Sequence, residues 1–130
     1  MSAEDALIAA LQADPGVSDL VGSRVFIAGG RQGTPYPYIT VQRITTSGAA
    51  SIDRPATLEW PLFQLDAWGE TAASAKDAGE AAIAAIDGKE ITAGGLTITA
   101  TKQDQRGPAP DEETRKYRVS QDYYIWHERA

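Results

Sequence analysis

The spacing of apolar residues along the chain changes period several times, and each change marks an element. From Ala3 to about Ala13, Leu7 and Leu11 lie one helical turn apart, with Ala3, Ala6 and Ala10 beside them and Ile8 on the flank. Ser2 precedes this run as a cap, and Asp14-Pro15-Gly16 ends it. Val17, Leu20 and Val21 fit one further helical turn closed by Gly22, and Arg24-Val25-Phe26-Ile27 reads as a short strand. Gly29 to Pro37 is a loop rich in Gly and Pro. Tyr38 to Thr46 has strand composition, with Ile39 and Val41 on one face and Tyr38, Thr40 and Gln42 on the other.

Ser47 to Pro55 has no period and reads as a long hairpin loop with a mobile tip. Thr57 to Trp68 carries the clearest alternation, with Phe63, Leu65 and Ala67 facing one way and Gln64, Asp66 and Trp68 the other. Pro61 places this strand at an edge or marks a bulge near its start, because proline cannot donate to a ladder. Thr71 caps a helix running to about Ile86, its inward stripe Ala75, Gly79, Ala82, Ile83 and Ile86, with Gly88 at the left-handed C-terminal position. Ile91 and Thr92 start a strand that Gly94-Gly95 interrupts, and Leu96, Ile98 and Ala100 then alternate with threonines. Gln105 to Lys116 reads as a polar loop. Tyr117 to Glu128 is a closing strand with Val119, Tyr123 and Ile125 toward the core, and Arg118, Ser120, Asp122, Tyr124 and Trp126 outward. Polar Gln121 falls on the predicted core face.

The order of helix, three strands, helix, two strands, without a repeated βαβ unit, predicts an α+β fold. Residues 1–130 are expected to form a single domain, an antiparallel or mixed sheet of four to five strands with two main helices on one face. The uncovered face would gather Gln64, Asp66, Trp68, Asp122, Tyr124 and Trp126. Large aromatics beside carboxylates on an open sheet point to a partner surface. The competing expectation is that Trp68 and Trp126 pack on each other or under a loop.

Composition narrows the chemistry. The 130 residues carry 12 Lys and Arg against 18 Asp and Glu, a net charge of −6, spread without a basic arm that would grip nucleic acid. Cysteine is absent, which removes disulfides, thiolate metal sites and a thiol nucleophile. The acidic start and the lack of a long apolar run give no support to a signal peptide or a membrane span, so the expected site of synthesis and use is the cytosol. His127, the one histidine, is expected to be a surface residue at a fraying strand end rather than a catalytic base. Asp111-Glu112-Glu113 lacks the spaced oxygen ligands of a calcium loop. Gly29-Gly30-Arg31-Gln32-Gly33 lacks the Lys-Ser/Thr ending of a phosphate loop. An enzyme is disfavoured, and no cofactor or metal is expected.

Linear order carries one further signal. Asp14-Pro15-Gly16-Val17, Leu20-Val21-Gly22-Ser23-Arg24-Val25-Phe26 and Gln32-Gly33-Thr34-Pro35-Tyr36-Pro37-Tyr38-Ile39 follow a short amphipathic helix. Gln64-Leu65-Asp66-Ala67-Trp68, Asp87-Gly88 and Tyr117-Arg118-Val119-Ser120-Gln121-Asp122-Tyr123-Tyr124-Ile125-Trp126 follow in turn. In that order and spacing, over nearly the whole chain, the sequence resembles the tail-terminator, or tail-completion, proteins of long-tailed phages and prophages. Gln121 departs from that family, which more often has an apolar residue there.

The resemblance implies a structural protein that forms a ring, usually of six subunits, on the head-proximal end of the tail tube. The ring stops tube polymerisation and offers the surface that joins the tail to the neck. The implied partners are further copies of the chain, the tail-tube protein and the neck or head-closure protein, at the virion tail–neck junction after assembly in the bacterial host cytoplasm. DNA would pass through the lumen without specific binding, which suits six copies carrying a charge of about −36 together. Candidate partner-contact residues are Ile52 and Arg54 in the hairpin loop and Asp66, Trp68, Asp122, Tyr124 and Trp126 on the open face. The alternatives are a neck or head-closure adaptor of the same particle and a free-standing ligand-binding α+β domain.

Overall fold

The computed structural model describes residues 2–27, 33–45 and 58–128. The Ser47–Pro55 loop, with Ile52 and Arg54, and the Gly29–Gln32 stretch lie outside them.

The first helix, α1 (Ala3–Ala13), is held at its start by a reciprocal cap. Asp5 N–H donates to Ser2 Oγ at 3.1 Å, and Ser2 N–H donates to Asp5 Oδ2 at 3.2 Å. Asp14-Pro15-Gly16 ends α1 and also starts a second helix, α2 (Pro15–Val21), which is longer than the single turn expected. Asp14 accepts from Val17 N–H at 3.0 Å and Pro15 takes the first helical position, where its missing N–H costs nothing. The third, α3 (Ala72–Ile86), starts at Thr71, whose hydroxyl accepts from Ser74 N–H. Its buried stripe is Ala75, Ala78, Gly79, Ala82 and Ile86, with Ile83 half-buried at the margin. The described residues therefore hold three helices where two main ones were expected.

The strands are β1 (Val25–Ile27), β2 (Tyr38–Thr45), β3 (Leu58–Glu59), β4 (Leu62–Gly69), β5 (Glu90–Ala93), β6 (Leu96–Pro110) and β7 (Tyr117–Glu128). Six of them run in the order β1-β2-β4-β7-β6-β5, and β3 pairs beside β7. The sheet is mixed, because β1 runs parallel to β2 and the other pairs are antiparallel. It exceeds the expected four to five strands for two local reasons. Pro61 breaks the Thr57–Trp68 run into β3 and β4, and Gly94-Gly95, both at positive φ, form a two-residue hairpin between β5 and β6. Pro61 does not mark an edge: β4 is central, and the Pro61 carbonyl accepts from Ile125 N–H at 3.0 Å.

The largest correction falls on Gln105–Lys116. Its glycine and two prolines read as loop, yet β6 continues to Pro110, and the turn proper is confined to 111–116. Pairing with β7 overrides the local signal by shifting register between Lys102 and Asp104 and again between Arg106 and Ala109, so Gly107-Pro108 is absorbed in a bulge. Gly107 has φ +95°, and a Cβ there would stand 2.5 Å from the Arg118 carbonyl oxygen, so the position requires glycine. Asp111 closes the turn by accepting from both the N–H and the hydroxyl of Thr114.

The core lies between the helices and one sheet face, where Ile39, Val41, Phe63, Leu65, Ala67, Val119, Tyr123 and Ile125 are fully or almost fully buried. Gln121 is fully buried among them. Its amide donates to the Gly79 carbonyl of α3 at 2.9 Å and accepts from the Tyr123 hydroxyl at 2.8 Å, so the polar group is satisfied inside the core. Burial holds the Tyr123 hydroxyl's pKa above its ordinary value, which keeps it a donor.

At one end of this layer Arg43 pairs with Glu4 at 2.8 Å and lies over the Phe63 ring. Partial burial raises the Glu4 pKa, but the Arg43 hydrogen bond, helped by its charge, outweighs that and leaves it below 4.5. A depressed carboxylate stabilises the fold above its ordinary pKa and loses that contribution as pH falls through the depressed value. The wild type is therefore expected to lose stability relative to Glu4→Gln as pH is lowered from about 5 to 3, by chemical denaturation at each pH. A constant difference between the two would refute the pairing.

Candidate partner surface

The strand register lays the open face out in rows. Tyr38, Trp68 and Arg118 form the first, Thr40, Asp66, Ser120 and Arg106 the second, and Gln42, Gln64, Asp122 and Asp104 the third. Leu62, Tyr124 and Thr101 follow, then Trp126 with Thr99. Alternation along β2, β4 and β7 thus brings together Gln64, Asp66, Trp68, Asp122, Tyr124 and Trp126 on one face, as the sequence predicts.

Trp68 and Trp126 do not pack on each other. Their rows lie at opposite ends of β7, roughly 27 Å apart at about 3.4 Å per residue. Trp68 stacks on Tyr38 at 5.9 Å, and Tyr38 in turn meets Tyr36 at 5.1 Å and Phe26 at 6.2 Å. Arg118 lies over Trp68 at 5.2 Å and Lys116 over Tyr36 at 5.7 Å, so this corner holds its own cations. Burial, with Tyr36 next to it, pushes the Tyr38 pKa up to about 12. At the other end Trp126 meets Trp60 at 5.1 Å and Tyr124 at 6.3 Å.

Between the aromatic ends lies a polar centre. Asp66 is 5% exposed and is held by the Ser120 hydroxyl at 2.6 Å and the Gln64 amide at 3.0 and 3.1 Å. It organises the face and offers little surface to a partner. Trp68 Nε1–H donates to the Thr40 hydroxyl at 3.1 Å, tying the first row to the second. Asp122 takes both ends of the Arg106 guanidinium at 2.8 and 3.2 Å, and Arg106 also reaches Asp104 at 3.2 Å. Ser120→Ala removes one buried bond from Asp66 and is expected to cost about 1–2 kcal/mol in denaturant unfolding. A change under a few tenths would mean that this centre does not hold the face.

Arg106, Ser120, Thr40, Tyr38 and Trp60 had no assigned role in the sequence reading. Arg106 stood in a segment read as loop, Ser120, Thr40 and Tyr38 matter through cross-strand partners that only register supplies, and Trp60 through its ring contact with Trp126. His127 is not at a fraying end: it is half-buried and paired between Glu59 and Ile98. Among the described residues no group of three or more His, Cys, Asp or Glu forms a metal-binding cluster, and no helix is long and apolar enough to cross a membrane.

A family model described as "Tail completion protein gp17" matches residues 5–128. The chain belongs to that family. Tail-completion proteins are structural components of phage tails, and this chain has a tail-completion role through that membership. No curated protein matches the sequence. Among solved structures, the fold resembles a chain of the virion of a native gene transfer agent particle. That match has a TM-score of 0.77 and 18% identity, and covers 96% of this chain and 93% of that one. It also resembles the gp17 protein of bacteriophage SPP1, with a TM-score of 0.59 and 16% identity over 94% of this chain and 86% of the other. The tail-completion fold is therefore shared across nearly the whole length at low identity.

Proposed function

We propose that this tail-completion protein is a tail terminator, forming a ring of six on the head-proximal end of the tail tube. The ring stops tube growth and joins the tail to the neck, and DNA passes through without specific binding. The observation that carries this reading is the family match over residues 5–128, supported by the likeness to a chain of an assembled virion. The open sheet face supplies a fitting contact area. Trp68, Asp122, Tyr124 and Trp126 are half-buried there, Trp68 and Asp122 held by cross-strand hydrogen bonds and Tyr124 and Trp126 by ring contacts, which lowers the ordering entropy lost on docking. The 47–55 loop with Ile52 and Arg54 is proposed as a second contact, with the tube or an adjacent subunit.

Light scattering at low and high concentration, followed by electron microscopy with purified tail tubes, tests the reading. Six-subunit rings capping one tube end and blocking further polymerisation are expected. Binding to the head-side connector, with tube length unchanged, would replace the terminator by a neck adaptor. A stable dimer with no larger species and no tube binding would reject both.

A further inference from the structure

The strand order ends at β1 and β5, and a further stretch of open edge lies on β6 where β5 no longer runs beside it; the β6 stretch and the β1 edge differ. On one side, β5 stops pairing with β6 at Thr99. The Gly88-Lys89 turn still exchanges backbone bonds with Ala100, and Lys102 N–H donates to Asp87 Oδ1 at 2.9 Å. Beyond that point residues 103–110 pair with β7 alone and are exposed throughout. A free edge of this length is a template for other chains. Here it is guarded, because Gln105 N–H is taken by Asp104 Oδ1 at 2.9 Å, while Pro108 and Pro110 have no N–H. Continuous ladder extension is discouraged, and a strip of Gln103, Gln105, Pro108 and Ala109 remains for side-chain contact.

The other edge is β1, at the far end of the strand order, where Ile27 is 50% exposed. Charge favours both edges for self-contact. Copies of a chain with net charge −6 repel one another, so they approach best where carboxylates are not in excess. β6 sets Lys102 and Arg106 against Asp104, and Pro15–Ile27 sets Arg24 against Asp19, whereas Asp111-Glu112-Glu113 and Glu4-Asp5 are acidic.

We propose that the β6 edge at residues 103–110 of one copy packs on the β1 edge around Ile27 of the next copy. This assignment rests on the ring reading above and names its subunit contact. Unlike surfaces joined head to tail generate a ring when the rotation closes, whereas like-on-like contact stops at a dimer.

Because the chain has no cysteine, single thiols can be placed freely. Full-length Ile27→Cys, Gln105→Cys and the double variant are treated with a short bismaleimide and run on denaturing gels. The double variant is expected to give a ladder up to the ring size, and each single variant is expected to stay monomeric. A crosslinked dimer from either single variant overturns the proposal. Ring-sized mass without crosslinks in the double variant overturns the edge assignment and leaves the ring standing. Monomer at every concentration without crosslinks overturns the copy contact, and tube-end binding by that monomer then judges the tail reading separately. Ile27→Glu covers the case in which a thiol itself breaks the contact: it is expected to weaken association at least tenfold, and unchanged association overturns the proposal.

Discussion

Gly69→Ala is expected to lower the midpoint of thermal unfolding by roughly 10 °C or more. Gly69 is the last residue of β4, where the chain turns toward α3. A Cβ there would lie 2.4 Å from Ala75 N and 2.9 Å from both the carbonyl carbon and Oγ of Ser74. The nearest obstacles are backbone atoms in the first turns of α3, so no side-chain rotation relieves the overlap. α3 must move outward, and its small-residue stripe must then separate from β4 and β7. Overpacking of that kind costs about 3 kcal/mol, a large part of a total stability on the order of 5–15 kcal/mol. Gly88→Asn serves as the control, because nothing lies within 4 Å of that position and asparagine tolerates its φ of +70°. Differential scanning calorimetry of the two variants decides the matter: a Gly69→Ala protein melting within about 2 °C of wild type would mean that α3 is not seated so closely.

The second large effect concerns the buried Tyr123–Gln121–Gly79 chain. Gln121→Ala is expected to cost about 3–4 kcal/mol, combining a cavity under α3 with a tyrosine hydroxyl left without an acceptor. Tyr123→Phe removes one donor from the Gln121 amide and is expected to cost about 1–2 kcal/mol. Gln121→Leu should cost about as much as Tyr123→Phe or more, because it strands the tyrosine hydroxyl in the core. Gln121→Leu with Tyr123→Phe removes both polar partners together, and the pair is expected to be more stable than Gln121→Leu alone by over 1 kcal/mol. Denaturant unfolding of the four proteins measures the coupling. Additive costs would mean that the hydroxyl and the amide do not depend on each other. Gly79 belongs to the same device, since a Cβ there would come within 3.0 Å of the Gln121 amide nitrogen.

The elements were legible wherever a local period and a cap agreed. Ser2 with Leu7 and Leu11, Thr71 with the alanine-rich run, and the alternation of Phe63, Leu65 and Ala67 each specify structure within one or two turns of chain, because their signals are local geometry. Alternation also placed Trp68, Asp122, Tyr124 and Trp126 on one face, since a strand's period of two leaves no other choice once the core face is known. The resemblance to tail-completion proteins was carried by ordered fragments spanning the chain, and the family match over residues 5–128 agrees with it.

What the sequence could not determine is what depends on pairing. Gly107, Pro108 and Pro110 signal a loop, and only β7 lying alongside turns that stretch into strand through a bulge. Asp66 reads as an exposed acid until Ser120 and Gln64 are seen to enclose it, and Gln121 reads as a misfit until Gly79 and Tyr123 supply its partners. Arg106 meets Asp122 across sixteen residues of chain. Local propensity and period are properties of consecutive residues, so the sequence by itself determined α1 and α3, the strand faces around the core and the family. Register, burial of polar groups and the two unlike edges arise from contacts between distant segments, and the tertiary structure alone decided them.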